Sequence, residues 1–241
     1  MFFPQLRASL RFFWQYLTPL LGRLLPVLLP LLLAFNYRFF FLFGADAEKA
    51  MQDPLSLLLQ LLVGLAANTL TILYTVAVLQ GGDTTLPTLW RQAVLRLPAL
   101  FFLQILVGLA IILGLLALIL PGLYLMGVLL PAYVLVVYEK QSIPAALRDA
   151  WQRFRGRPWE LSASFLLVLS GLLIVVSGLK SLQALLDSAA LPLRVAAAAG
   201  LDLVGVLFMQ LLVILLVHTW YAVGQDAQKD KQKSEKGESS V

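Results

Sequence analysis

The sequence predicts an all-α integral membrane protein of six transmembrane helices, with three amphipathic helices at the cytoplasmic-side interface. Three observations predict it. Of the 241 residues, 60% are hydrophobic and 13% charged, against about 45–50% and about 25% in soluble domains. The apolar residues fall into six runs, each near the length needed to cross roughly 30 Å of hydrocarbon. Lys and Arg flank those runs, which is how membrane proteins use basic residues. The formal charge of +5 is therefore read as directed at lipid, and no nucleic-acid partner is expected. Cysteine is absent, which excludes a disulfide framework, a thiol nucleophile and a Cys-based metal site.

The first unit is 1–19. Leu6, Leu10, Phe13, Trp14 and Leu17 recur on one helical face, with Arg7, Arg11 and Gln15 on another. That pattern predicts a helix lying in the membrane interface. The rival reading is a signal peptide cleaved near Ala45-Asp46-Ala47. It fails on length, since such peptides run roughly 15–30 residues, and Arg23 and Arg38 interrupt the apolar stretch. Span one covers 20–43. Pro26 and Pro30 are expected to kink it, and Arg38 lies near its outer end, where it can snorkel to headgroups. A polar loop follows over 44–53.

Span two, 54–79, carries Gln60, Asn68, Thr69 and Thr71. These groups are expected to face other helices, because lipid offers them no partner. The second interfacial helix lies in 80–98. Leu86, Leu89, Trp90, Ala93, Val94 and Leu97 form its apolar face, opposite Arg91, Gln92 and Arg96. Span three is 99–120. Pro121-Gly122 reads as a turn, and span four, 123–138, is short and broken by Pro131. The third interfacial helix lies in 139–159. Leu147, Ala150, Trp151 and Phe154 share one face; Arg148, Arg153, Arg155 and Arg157 decorate the other. Asp149 precedes Arg153 by four residues, the spacing of a helical ion pair.

Span five is 161–179. The outer segment 180–194 reads as a short amphipathic helix through Leu182, Leu185 and Leu186, and span six is 195–223. Residues 1–223 form a single polytopic membrane domain. The polar tail, 224–241, is expected to be disordered.

Six spans return both termini to one side. Fourteen of the eighteen Lys and Arg fall there, and all five Trp lie at that boundary. The positive-inside rule places both termini in the cytoplasm. The three interfacial helices each precede an outward-going span, each carries one Trp on its apolar face and Arg on its polar face, and each ends near a proline: Pro19, Pro98 and Pro158. Leu10 to Pro19 and Leu89 to Pro98 have equal spacing; Leu147 to Pro158 is two residues longer. The pattern reads as a threefold parallel repeat. The plainer reading is that any membrane hairpin begins with an Arg- and Trp-flanked segment.

Three stretches carry a family resemblance. They are Pro121-Gly122-Leu123-Tyr124, the run Pro131-Ala132-Tyr133-Val134-Leu135-Val136-Val137-Tyr138-Glu139, and Ser142-Ile143-Pro144-Ala145-Ala146-Leu147-Arg148-Asp149-Ala150-Trp151. In them the chain resembles the YciC family of bacterial inner-membrane proteins. The pattern also looks like the membrane domain fused to some glycerophosphodiester phosphodiesterases. The similarity covers 5–224 and is specific in 119–159. It implies a six-span helical protein of the bacterial inner membrane and implies no activity. The lysine-rich tail and proline-rich first span depart from the family pattern.

Candidate chemistry is sparse. His218 is the only histidine. As a proton relay or metal ligand it needs partners, with Glu139, Glu160 or Asp226 as the candidates, and a metal needs several convergent ligands. The plainer reading is an interfacial hydrogen-bonding histidine. Asp202 is an intramembrane acid, by default a functional candidate; the plainer reading is an acid that snorkels or meets Arg38, and Arg194 shares its face. Gln60, Asn68, Gln104 and Gln210 either line a polar pathway or bind helices together. Gly171, Gly178, Gly200 and Gly205 permit close helix approach. No nucleophile–base pair, P-loop, HExxH or dinucleotide fingerprint occurs, so no catalytic residue, metal or cofactor is assigned.

The expected function is therefore non-enzymatic. Arg91, Arg96, Arg148, Arg153, Arg155 and Arg157 would bind anionic lipid headgroups, with Trp14, Trp90 and Trp151 as interfacial anchors. The alternative is a transporter or permease for a lipid or small hydrophobic solute.

Overall fold

The structure, a computed structural model, describes residues 3–43, 53–156, 158–184 and 190–238. The described residues form eight helices and no strand: α1 Phe3–Phe43, α2 Pro54–Gln80, α3 Leu86–Ala117, α4 Ile119–Leu129, α5 Ala132–Val137, α6 Ile143–Phe154, α7 Pro158–Ala184 and α8 Leu191–Glu238. Six stretches are long and apolar enough to cross a membrane, α4 and α5 together making one of them.

Local chemistry sets the helix ends. Asp53 caps α2: its carboxylate accepts the Ser56 backbone N–H and the Ser56 hydroxyl, both at 2.8 Å. Pro54 follows in the first turn, where its missing N–H costs no helical bond. Gly81 ends α2 at φ 68°, a conformation that a side chain resists, and the Gly82 N–H returns to the Ala77 carbonyl at 2.8 Å. The reversal between α3 and α4 falls at Leu118, which is extended, and not at Pro121-Gly122. Pro121 instead fills the first turn of α4. Gly122 is buried against α3, where a Cβ would overlap Leu115. The proline and glycine that read as a turn serve helix initiation and close packing. Pro131 does separate α4 from α5.

Two of the three expected interfacial helices are not separate elements. Helices α1 and α3 run unbroken through Pro19 and Pro98. Proline inside a span kinks the helix rather than ending it when neighbouring groups satisfy the freed carbonyl. At about 1.5 Å per residue, α1 and α3 are roughly 60 Å and 48 Å long, so both exceed the hydrocarbon thickness. Only α6 stands alone, cut from α7 at Arg155 and Gly156. It buries Ala146, Ala150 and Phe154 against the bundle. The equal Leu-to-Pro spacing of the first two units goes with continuous helices, and the longer third goes with a break.

The core lies around α2, which packs on α1, α3, α5 and α8. Leu24, Leu28, Leu70, Ile72, Leu103, Val134, Leu135 and Ile214 are all essentially inaccessible. The outward faces are apolar: Phe102, Ile105, Leu109 and Ile112 on α3 and Leu173 and Ile174 on α7 are all exposed. Such a belt suits lipid and not water. Helix α8 continues through Glu238, where the sequence reading places a disordered tail from Gly224. A helix already nucleated by a span propagates cheaply through good helix formers such as Lys, Gln and Ala. The Ala45–Ala47 cleavage reading, Lys49, Leu185 and Leu186 lie outside the described residues.

The helices alternate in direction. One end of the bundle carries the start of α1, the α2–α3 turn, the 138–142 connector and the end of the α8 span. Arg23 on α1 donates to the Thr84 carbonyl at 2.6 Å and lies 4.7 Å from the Tyr74 ring centroid. The Tyr138 hydroxyl donates to Gln80. This end is the terminal side. On the far side, Arg38 pairs with Asp53 at 3.0 Å and Arg194 lies 4.9 Å from the Phe40 ring centroid.

Candidate functional site

Two features carry functional side chains: an arginine and tryptophan rim on the terminal side, and a polar chamber inside the bundle. The rim is built by α6 and by the first turns of α1 and α3. Arg91 and Arg148 are exposed, as is Arg155 just beyond α6; Arg96 is half-buried. None of the four has a carboxylate partner among the described residues. Arg153 differs. Its guanidinium donates to Glu139 at 3.0 Å and to Asp149 at 3.4 Å, so it holds α6 to the connector. Arg157 lies outside the described residues. Trp14 is 70% exposed and Trp151 41%, while Trp90 is half-buried against the core. Tyr124 on α4 meets both Trp151 and Trp159 edge-on, at 5.8 and 6.3 Å between ring centroids.

Glu139, a candidate neighbour of His218 in the sequence, is a junction between segments. Its carboxylate accepts from Arg153 on α6, from the Gln141 amide at 2.8 Å, and from the Trp220 indole N–H on α8 at 3.0 Å. Three segments thus meet on one acid. His218 instead lies edge-on to Phe12, 5.3 Å between ring centroids. Its Nε2 is buried with no hydrogen-bond partner among the described residues.

Asp202 reaches across to α1 through its carboxylate. Its carboxylate accepts from the Asn36 amide across the α1–α8 contact at 2.8 Å, and Arg38 is taken by Asp53. Asp202 and His218 do not form one site. They stand sixteen residues apart on α8, about 24 Å along the axis.

The chamber lies in the far half of the bundle and has a volume of about 450 Å³. Gln60 and Asn68 from α2, Gln104 from α3 and Asp202 and Gln210 from α8 all line it. A second cavity of about 180 Å³ adjoins it toward the terminal side and shares Asn68, Gln104 and Met209. The rest of the second cavity is aliphatic and aromatic, with Ile72, Leu130, Phe165, Leu212 and Leu216 on its walls and Tyr133 as its one further polar-tipped side chain among the described residues. Gln210 is 1% exposed. Its amide donates to the Val206 carbonyl at 3.0 Å, while its Oε1 is buried without a partner among the described residues. Gln104 Oε1 is in the same position.

The convergence follows from two stripes that the sequence contains. Gln60, Gly64 and Asn68 recur at i, i+4 and i+8 on α2; Asp202, Val206 and Gln210 do so on α8. Residues so spaced share a helical face, and each stripe looks into the same space. Of the glycines expected to permit close approach, Gly171 meets Phe208, while a Cβ at Gly178, Gly200 or Gly205 meets nothing within 4 Å. Close approach falls instead at Gly114 and Gly122 between α3 and α4, and at Gly127 on α4, where a Cβ would overlap the Pro158 carbonyl on α7.

No protein-family model, no curated protein and no solved structure matches this chain.

Proposed function

We propose that this chain is a non-enzymatic polytopic protein of a bacterial inner membrane, of the YciC type, with both termini in the cytoplasm. In this reading it binds and organises anionic membrane lipid on its terminal side. One observation carries the reading: Arg91, Arg148 and Arg155 are exposed without carboxylate partners among the described residues, beside exposed Trp14 and Trp151. Indole rings favour the headgroup boundary, and each basic residue there adds about 1 kcal/mol of attraction to anionic lipid. Arg96 joins the set at a half-buried position, and Arg157 belongs to it by sequence. Arg153 serves the fold, because Glu139 and Asp149 hold it. The three-unit repeat belongs to this proposal, as three Arg- and Trp-bearing entrances to the membrane.

The test is native mass spectrometry of the protein extracted gently from its own membrane. Stoichiometric anionic phospholipid should be retained by the parent. It should be lost when Arg91, Arg96, Arg148 and Arg155 are replaced by glutamine. Retention that does not change with those substitutions would refute the mechanism.

A transporter or permease for a lipid or small hydrophobic solute is the second reading. The open chamber and its apolar neighbour favour it, together with the helix break at Pro131. Flux of a fluorescent lipid in proteoliposomes, abolished by Gly205→Leu, would support transport. Flux equal to that of empty liposomes would exclude it.

A further inference from the structure

We infer that the paired cavities form one binding site for an uncharged lipid with a hydroxyl-bearing head, separate from the arginine rim. Shape, hydrogen-bonding capacity and charge each contribute to the inference.

The two cavities divide the work as an amphiphile requires. The larger carries the amides of Gln60, Asn68, Gln104 and Gln210; the smaller is walled by aliphatic and aromatic side chains. A volume of about 450 Å³ falls within the roughly 300–1,000 Å³ usual for ligand pockets. Access from lipid is lateral. Helix α3 packs on α2 and α4, and α7 packs on α4 and α8, but α3 and α7 have no substantial contact with each other among the described residues. The space stays open because it lacks side chains. Gly64 and Gly205 line the larger cavity, and a Cβ at either would meet nothing within 4 Å.

The head is specified by what the lining lacks. Gln104 Oε1 and Gln210 Oε1 are both buried acceptors without donors among the described residues. Leaving a buried acceptor unmade is costly, so the complementary ligand brings O–H groups. Among the described residues, no Lys, Arg or His lines either cavity. A phosphate head would be buried there without a counter-ion among those residues, which is strongly unfavourable. The cavity therefore rejects the anionic lipids that the rim attracts.

The experiment uses the full chain in phosphatidylcholine nanodiscs, with two photoactivatable probes mapped by peptide mass spectrometry. One probe is a diacylglycerol with a diazirine in its acyl chain; the other is the matching phosphatidylglycerol. The diacylglycerol should label lining residues of α2, α3 or α8 saturably and be competed by unlabelled diacylglycerol. Labelling should fall about tenfold in the Gln104→Leu, Gln210→Leu double variant, and likewise in Gly205→Leu, which fills the space. Gly205→Leu should keep the parent's thermal stability, since a Cβ there meets nothing within 4 Å, and the double variant, which gives up the Gln210 side-chain hydrogen bond to Val206, should remain folded at the parent's working temperature. Glutamine replacement of Arg91, Arg148 and Arg155 should leave diacylglycerol labelling unchanged, which separates this site from the rim. Non-saturable labelling, equal labelling in the filled variant, or equally strong labelling of the chamber by phosphatidylglycerol would overturn the inference. So would a chamber that takes up water only and neither probe.

Discussion

The terminal half and the far half of this bundle are built by opposite means. On the terminal side, segments distant in sequence are tied by directed polar contacts. Arg23 holds the α2–α3 turn, Glu139 gathers Arg153 and Trp220, and Ser162 donates to the Leu123 carbonyl at 2.6 Å. Glycine there brings backbones together, as Gly127 does against Pro158. Around the chamber glycine does the reverse. Gly64 and Gly205 leave room, and the polar side chains around them line the chamber. The same residue type closes one region and opens the other. What decides is whether a second helix approaches the missing Cβ.

The comparison breaks most sharply at the glycines. Gly127→Leu forces a side chain into the Pro158 carbonyl and the Ser162 hydroxyl. Backbone cannot yield as a flexible side chain does, so the loss should reach about 3 kcal/mol or more. Little folded protein should survive detergent extraction. Gly205→Leu and Gly64→Leu should stay within about 1 kcal/mol of the parent, because a helical glycine gains propensity and meets no neighbour. Thermal unfolding of the three variants side by side measures this. Equal destabilisation would mean that the far half is as closely packed as the terminal half.

The next effect belongs to Glu139. Glu139→Gln keeps the shape but weakens charge-assisted acceptance from Arg153 and removes the negative charge at the junction. With the side chain 22% accessible, about 1–2 kcal/mol should be lost. Arg153→Gln should cost a similar amount, and the double variant should cost less than the two single losses combined, since both act on one contact. Strict additivity would remove Glu139 from its place as the clamp of the terminal half.

Much of this was legible in the sequence, and the reasons for the rest are physical. Apolar runs fix which segments span, and Asp53-Pro54, Gly81 and Pro131 mark helix limits by chemistry that acts within a few residues. Pro121-Gly122 misleads because proline suits a first helical turn as well as a bend, and because the packing of Gly122 on Leu115 is tertiary. The six-arginine headgroup set is compositional. Only the fold reveals that Arg153 is spent on Glu139. Asp202 finds Asn36 across 166 residues, a pairing set by how α1 and α8 are rotated, which no local pattern encodes. The two polar stripes were present to be read; their convergence depends on α2 and α8 packing together.

The smallest effect lies at the far surface. The Ser56 hydroxyl and backbone N–H, and then Arg38, hold the Asp53 carboxyl below the ordinary carboxylate range. A depressed carboxylate contributes stability that is complete above its unfolded pKa, near about 4, and is lost as pH falls through the folded value. Asp53→Asn remains a good helix cap and has no such titration. The stability difference between parent and variant should therefore shrink on acidification below about pH 4. A difference that grows with acid would contradict the assignment.

The most direct test of the open-far, closed-terminal division uses the absence of native cysteine. Single substitutions Gly64→Cys and Gly205→Cys place a thiol in the chamber; Val134→Cys and Val217→Cys place one in the terminal-half core, where both parent residues are 0% exposed. A small water-soluble maleimide applied to lipid-depleted protein reacts only with a thiol that meets water and ionises. The two chamber positions should react and the two core positions should not. Chamber thiols as inert as the core thiols, or core thiols as reactive as the chamber thiols, would contradict the account.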